Sequence, residues 1–234
     1  EMRRKLRIGM VGGGQDSMIG GVHRQAARVT DSYELVAGSF SSNRQKSHES
    51  GQALGLPPER VYGSYREMFK KEARLPAEQR IDLVVITAPN NMHYPISMAA
   101  LDAGFHILCE RPMTTTLDEA LNLRRKLRTT ESRFCLAITG TGYPMVIEAR
   151  ELVRAGRVGE VRKAVIECPQ GWMATRLETA GNRQAGWRTD PRGGGAQPRL
   201  GGRARLSMPG RWEASADPPR VPRREQRPRA HQIG

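Results

Sequence analysis

Cysteines, aromatic residues and long apolar runs are all scarce in this chain. Three cysteines, Cys109, Cys135 and Cys168, stand far apart at irregular spacing. That excludes a disulfide framework and the paired cysteines of a zinc site. No metal site is expected, and the thiols read as buried or incidental. No apolar stretch approaches the roughly 20 residues of a membrane span, so no membrane partner is expected. The opening EMRRKLRIGMVGGG passes from basic side chains straight into glycines. It lacks a signal-peptide core or cleavage site, and a reducing cytoplasm is the expected compartment. Acids are also in short supply, with 24 Asp+Glu against 38 Lys+Arg. Such an excess raises the possibility of nucleic-acid or membrane-surface binding. Much of it, however, lies between Gly193 and Gly234, where nine Arg face three acids without a single Lys. That tail offers only Trp212 for stacking and no RNA-binding motif, so specific nucleic-acid binding is not expected.

From Leu6 to about Cys109, short apolar runs alternate with helical segments. LRIGMV (6–11), ELVAGSF (34–40), IDLVVITAP (81–89) and FHILCE (105–110) read as strands. The third is continuously β-branched, as in a strand buried on both faces. Between them, residues 19–29, 43–55, 64–74 and 93–104 carry helical spacing, the third opened by a Ser64 cap. Alternation of this kind predicts right-handed βαβ units and a parallel sheet. The fold class is therefore α/β, a Rossmann-like parallel sheet with helices on both faces. A capped helix over 114–128, a weaker strand over 133–139, an amphipathic helix over 143–156 and a half-exposed strand over 159–168 follow. The expected domains are a dinucleotide-binding domain over 1–128, a fragment of a second α/β domain over 129–191, and a low-complexity tail over 192–234. Arg, Gly, Pro and Ala dominate that tail, which buries too little to offset its chain entropy. It is expected to be disordered or read out of frame.

The stretch VGGGQDSMIGGVHRQAA (11–27) places Gly12, Gly13 and Gly14 between the first strand and first helix. Glycines there permit a tight turn and let backbone N–H groups approach a pyrophosphate at the helix N-terminus. The third fingerprint position holds Ser17, followed by Met18, so close helix–strand packing would have to tolerate a hydroxymethyl group. A plain glycine turn is the alternative. At the end of the second strand, where NAD enzymes place an acid for the ribose 2′-OH, stand Ser41, Ser42, Asn43 and Arg44. Hydroxyls and a cation suit a 2′-phosphate, so NADP is favoured over NAD. The bland alternative makes Arg44 and Lys46 part of a solvated helix face.

The ordered series VGGG, TAPNNMH (87–93), CERP (109–112), TGYPMV (141–146) and GWRTDP (186–191) resembles the Gfo/Idh/MocA oxidoreductases across roughly residues 5–191. The resemblance implies a Rossmann domain followed by an open-sheet domain. It also implies NAD(P)-dependent hydride transfer at a carbinol carbon of a sugar, cyclitol or related polyol. Carried over by position, Pro89, Asn90 and His93 would line the cofactor crevice, with His93 alternatively a packed or capping histidine. Glu110 would lie near the nicotinamide. Arg111 stands where the family has a lysine that binds the substrate hydroxyl and assists proton transfer. Arginine stays protonated and cannot act as a base, so Arg111 could orient a hydroxyl but not relay its proton. Trp187 and Arg188 would reach the cofactor or substrate from the second domain. The family's acid/base histidine has no counterpart after Pro191, where only His231 occurs. Catalytic impairment of this 234-residue form is therefore expected, with a non-catalytic nucleotide-binding remnant as the alternative. Homo-oligomers are usual in the family and doubtful here.

Overall fold

The computed structural model describes residues 4–15, 17–166 and 204–207. Five strands form one parallel sheet: β1 (Leu6–Gly12), β2 (Tyr33–Ser39), β3 (Leu83–Thr87), β4 (His106–Glu110) and β5 (Phe134–Ala137). Their spatial order is β2-β1-β3-β4-β5. Helices α1 (Met18–Val29), α2 (Arg44–Ala53), α3 (Tyr65–Glu72), α4 (Asn90–Asp102) and α5 (Leu117–Leu127) fill the connections. The Rossmann-like parallel sheet expected from the alternating pattern is thus present.

Burial follows the strand period. In β3, Val84 and Ile86 enter one apolar cluster, together with Phe69, Ile96, Phe105 and Ile107. Val85 faces the other cluster, with Ile8, Met10, Phe40 and Leu56. A strand covered on both faces needs no polar alternation, which is why IDLVVITAP is continuously apolar. Side-chain caps fix the helix starts. Asn43 accepts from the Lys46 N–H and Ser64 from the Glu67 N–H, while Thr116 and Glu119 form a reciprocal capping box.

One expected boundary needs correction. The boundary placed after residue 128 cuts through the first unit, because β5 pairs in parallel with β4 from Ile107↔Phe134 to Glu110↔Ala137. Phe134 also packs against the first core cluster, so residues 129–137 belong to the Rossmann sheet. Four residues of the expected tail are described. Within it, β7 (Ala204–Ser207) pairs antiparallel with β6 (Lys163–Ile166). Ala204-Arg205-Leu206-Ser207 has a period-two pattern that the bulk composition conceals. The remaining expectations for the tail lie outside the described residues.

Helix α6 (Pro144–Arg154) follows β5 and buries none of its residues. Its predicted apolar stripe is real but uncovered: Met145, Val146 and Leu152 are all exposed. Among the described residues, everything in the two core clusters falls between Ile8 and Phe134.

Candidate dinucleotide site

The chain leaves β1 for β2 on one side and later returns to place β3 on the other. That reversal makes the carboxyl ends of β1 and β3 a topological switch point, where open α/β sheets hold their ligands. The β1–α1 loop lies across it. Gly12 and Gly13 adopt φ of +79° and +71°, a region L-residues with side chains rarely enter. A Cβ on Gly12 would stand 2.8 Å from the Ala88 N, and one on Gly13 would stand 2.7 Å from the Thr87 Oγ1. The loop is therefore pressed against the end of β3 with no room for side chains. At Gly14 a Cβ would meet the Ser50 Oγ at 2.9 Å, so this turn is also closed toward α2. Arg24 braces the loop by donating to the Gly13 carbonyl.

Ser17 does not occupy the close-packing position expected of it. It is the N-cap of α1, its Oγ accepting from the Gly20 N–H at 3.1 Å. The close approach falls to Gly20, where a Cβ would lie 2.5 Å from both the Cα and the carbonyl oxygen of Gly13. The loop is longer than the fingerprint spacing assumes, and the packing glycine has moved three residues along. Met18 opens α1 and is largely exposed. This glycine cradle, set at a helix start, fits a pyrophosphate.

At the end of β2, Ser39 and Phe40 are buried. The Phe40 N–H donates to the Ser47 Oγ at 2.9 Å, and the Ser47 hydroxyl donates to the Tyr62 carbonyl at 2.7 Å, pinning the strand to α2. Ser41 accepts from the Asn43 N–H at 3.1 Å, and Ser42 is exposed. Arg44, the expected 2′-phosphate cation, is paired with Glu67 at 2.9 Å. Glu67 also takes Lys71 at 2.9 Å. The Lys71 hydrogen bond lowers its pKa most, burial opposes this, and the Lys71 and Arg44 charges and the Gly63 N–H add to the lowering.

Pro89 and Asn90 sit where β3 gives way to α4, Asn90 buried in the first turn. His93 is 1% exposed. Its Nδ1 lies 2.6 Å from the Pro112 carbonyl and its Nε2 2.9 Å from the Ala88 carbonyl. The packed alternative describes it: His93 ties the β3–α4 loop to the segment after β4 and presents no surface to a ligand. The Arg111–Pro112 peptide is cis. Arg111 itself is exposed, and its backbone N–H donates to the Glu110 Oε2 at 3.3 Å.

Glu110 has a partner that the sequence did not reveal. The Nε2 of His23 lies 2.8 Å from its Oε1, both side chains being more than four-fifths buried. Burial pushes the Glu110 carboxyl up. The hydrogen bond and charge of His23, with the N–H and charge of Arg111, pull harder, leaving it below its ordinary value. His23 sits on α1, 87 residues from Glu110 in sequence. No acid lies within a helical turn of it, so no local pattern could have marked it. Trp187 and Arg188 lie outside the described residues.

Residues 6–138 match the model of an oxidoreductase family with an NAD-binding Rossmann fold. The chain is 32% identical to the uncharacterized oxidoreductase YfiI of Bacillus subtilis (strain 168), covering 80% of this chain and 48% of that protein. It is 30% identical to the D-xylose 1-dehydrogenase (NADP(+)) of Hypocrea jecorina, over 58% of this chain and 33% of that protein. Among solved structures it resembles the Azotobacter vinelandii inositol dehydrogenase homolog complexed with NAD+. The TM-score is 0.77 at 36% identity, covering 82% of this chain and 49% of the other. The same homolog complexed with NADH and myo-inositol gives a TM-score of 0.70 at 35% identity, over 76% and 46%. The match spans between a third and a half of the length of these two curated relatives.

Proposed function

The chain belongs to the Gfo/Idh/MocA oxidoreductase family, and from that premise we propose that it binds NAD(P) across the β1–β3 switch point for hydride transfer at a carbinol carbon of a sugar, cyclitol or related polyol. The observation that carries this reading is the glycine cradle, in which Gly12, Gly13 and Gly20 leave no room for a Cβ. When bound, the nicotinamide supplies the hydride acceptor or donor. The chain's own residues do the rest. Backbone N–H groups at the start of α1 hold the pyrophosphate. Glu110, at the end of β4, presents negative charge at the nicotinamide end. Arg111 orients the substrate hydroxyl and stabilises it as negative charge develops. It does not accept the proton, because a guanidinium stays protonated. Turnover therefore needs a base other than Arg111, and we propose that the 234-residue chain binds dinucleotide without efficient turnover.

The second β-strand supports both cofactors. No acid stands at its carboxyl end to select the ribose 2′-OH, and a 2′-phosphate would compete with Glu67 for Arg44. The likeness to an NADP(+) enzyme and to an NAD+-bound homolog supports the same dual reading. Titrating NADH and NADPH into the 234-residue chain, read by nicotinamide fluorescence, tests the proposal. Saturable binding with Kd below about 1 mM is expected, the upper end of ordinary enzyme affinities. If neither dinucleotide saturates by that concentration, the reading fails.

A further inference from the structure

We propose that His23 is a positioning residue that fixes Glu110 at the nicotinamide end and, by its own protonation, sets the net charge there, so that the preference for oxidised over reduced dinucleotide rises with pH. The inference rests on the cofactor reading above and goes beyond it. The geometry is specific. His23 Nε2 and Glu110 Oε1 stand 2.8 Å apart with side-chain exposures of 13% and 17%, and the contact bridges the first helix to the fourth strand of the sheet.

Oxidised nicotinamide carries one positive charge that the reduced ring lacks. A neutral His23 leaves the pair with the single negative charge of Glu110, which attracts the oxidised ring more than the reduced one. A protonated His23 cancels that charge and removes the preference. Imidazoles ordinarily make this change between pH 5 and 8. The pyrophosphate and ribose contacts are common to both redox forms, so their own pH dependence cancels in the ratio of the two dissociation constants.

The other charged and titratable groups around the pair do not supply this behaviour. Glu110 is held below its ordinary value and stays ionised through the window. Beside it, burial pushes the Cys109 thiol up to about 12, the Glu110 charge adding to the rise, so the thiol stays neutral. Arg111, next to Glu110, and Arg24, on the same helix as His23 and turned onto the Gly13 carbonyl, remain cationic. Arg28 lies close enough to lower the pKa of Arg24 through its charge, a smaller effect than burial, and also stays charged. Among the described residues, His93 is the one other imidazole near this strand end, held by the Ala88 and Pro112 carbonyls, and the variants below separate it from His23.

The test measures Kd for NADH by fluorescence and for NAD+ by competition, with the 234-residue chain at pH 5.5, 7.0 and 8.5. The Kd ratio, NAD+ over NADH, is expected to fall by about fivefold across this range in the unmodified chain, the size of a screened single-charge interaction. His23→Gln keeps a donor at the same reach without a titration. It is expected to hold the high-pH ratio at every pH, while Glu110→Gln, in which His23 can still gain its proton, keeps a slope with a weaker preference for NAD+ throughout. A ratio that changes less than twofold in the unmodified chain overturns the proposal. So does a slope retained in His23→Gln, which would assign it to His93 or another group. If neither dinucleotide binds at any pH, the cofactor reading itself falls, a result distinct from binding without a pH-dependent ratio. Should a variant unfold, shown by circular dichroism, the His23 imidazole resonance decides. Its titration midpoint is expected to be lower with NAD+ bound than with NADH bound, and equal midpoints would overturn the proposal.

Discussion

A single hydrogen atom's worth of space separates a working cradle from a blocked one at Gly20. Its nearest neighbours are backbone atoms of Gly13, which cannot swing aside as a side-chain end can. Gly20→Ala is therefore expected to push the β1–α1 loop off the switch point. Dinucleotide affinity should fall at least about tenfold, and stability by about 1–3 kcal/mol, as for other overpacked sites. Fluorescence titration and thermal unfolding check both. Affinity within twofold of the unmodified chain would show that the loop is not the pyrophosphate site. Glu67 offers a second residue-scale test. It holds Arg44 at 2.9 Å, and Glu67→Gln is expected to free that cation and raise affinity for NADPH relative to NADH by about threefold to tenfold, a typical increment for one charge-assisted contact. An unchanged ratio would place Arg44 beyond reach of the 2′-phosphate. These residues also mark the limits of sequence reading. Gly12 to Gly14 announced themselves by position between a strand and a helix. The fingerprint assumes a loop of fixed length and so points to Ser17 for the packing role that the structure gives to Gly20. His23 was invisible because its partner is brought to it by the sheet, not by helical spacing.

Elements in this chain are joined by buried charge as well as by apolar packing. Glu72, fully buried at the end of α3, accepts from Arg60 at 2.8 and 2.9 Å, from the Tyr62 hydroxyl at 2.7 Å and from the Ile81 N–H at 3.2 Å. Glu72→Leu is expected to cost about 3–5 kcal/mol, because the Tyr62 hydroxyl and Ile81 N–H lose this acceptor and Arg60 keeps only the Gln79 carbonyl. Urea unfolding measures this, and a loss under 1 kcal/mol would mean that water replaces the carboxylate freely. Asp82 performs a related task at the start of β3, tying it to β1. It receives the Arg7 N–H at 2.8 Å and both guanidinium nitrogens of Arg4 at 2.7 and 2.8 Å. Burial pushes its carboxyl up, but the Arg4 and Arg7 hydrogen bonds, with the Arg4 charge, bring it down to about 2. Since the folded value lies below the unfolded one, this contribution is complete above about pH 4 and is lost as pH falls through about 2. Asp82→Asn is expected to flatten the stability profile in that acid window, by about 1–2 kcal/mol after allowance for the exposed Arg4. The elements themselves were legible. Strand and helix alternation placed every member of the main sheet within a few residues, because periodicity of burial is written locally. Their grouping was not: β5 looks like the start of something new after α5, and only its pairing with β4 assigns it to the first unit.

On the scale of the whole molecule, the described residues fall into a packed unit and an unpacked sequel. Both apolar clusters draw on residues between Ile8 and Phe134 alone, while α6 buries nothing. Here Met145 and Val158 stand 78% and 55% exposed. Exposed apolar side chains in one short region favour self-association more than they favour folding. Stability should therefore reside almost wholly in the first 138 residues. A chain ending at residue 142 is expected to unfold in one cooperative transition with Tm within about 3 °C of the 234-residue form, a shift of no more than about 1 kcal/mol for a unit of this size. It should keep its affinity for NADH, because the glycine cradle and the His23–Glu110 pair lie within it, and it should show less light scattering on heating. Calorimetry and fluorescence titration decide the matter together. A fall in Tm of 10 °C or more, or loss of the cooperative transition, would mean that residues beyond 142 support the Rossmann unit. Retained stability with lost NADH affinity would mean instead that they complete the dinucleotide site.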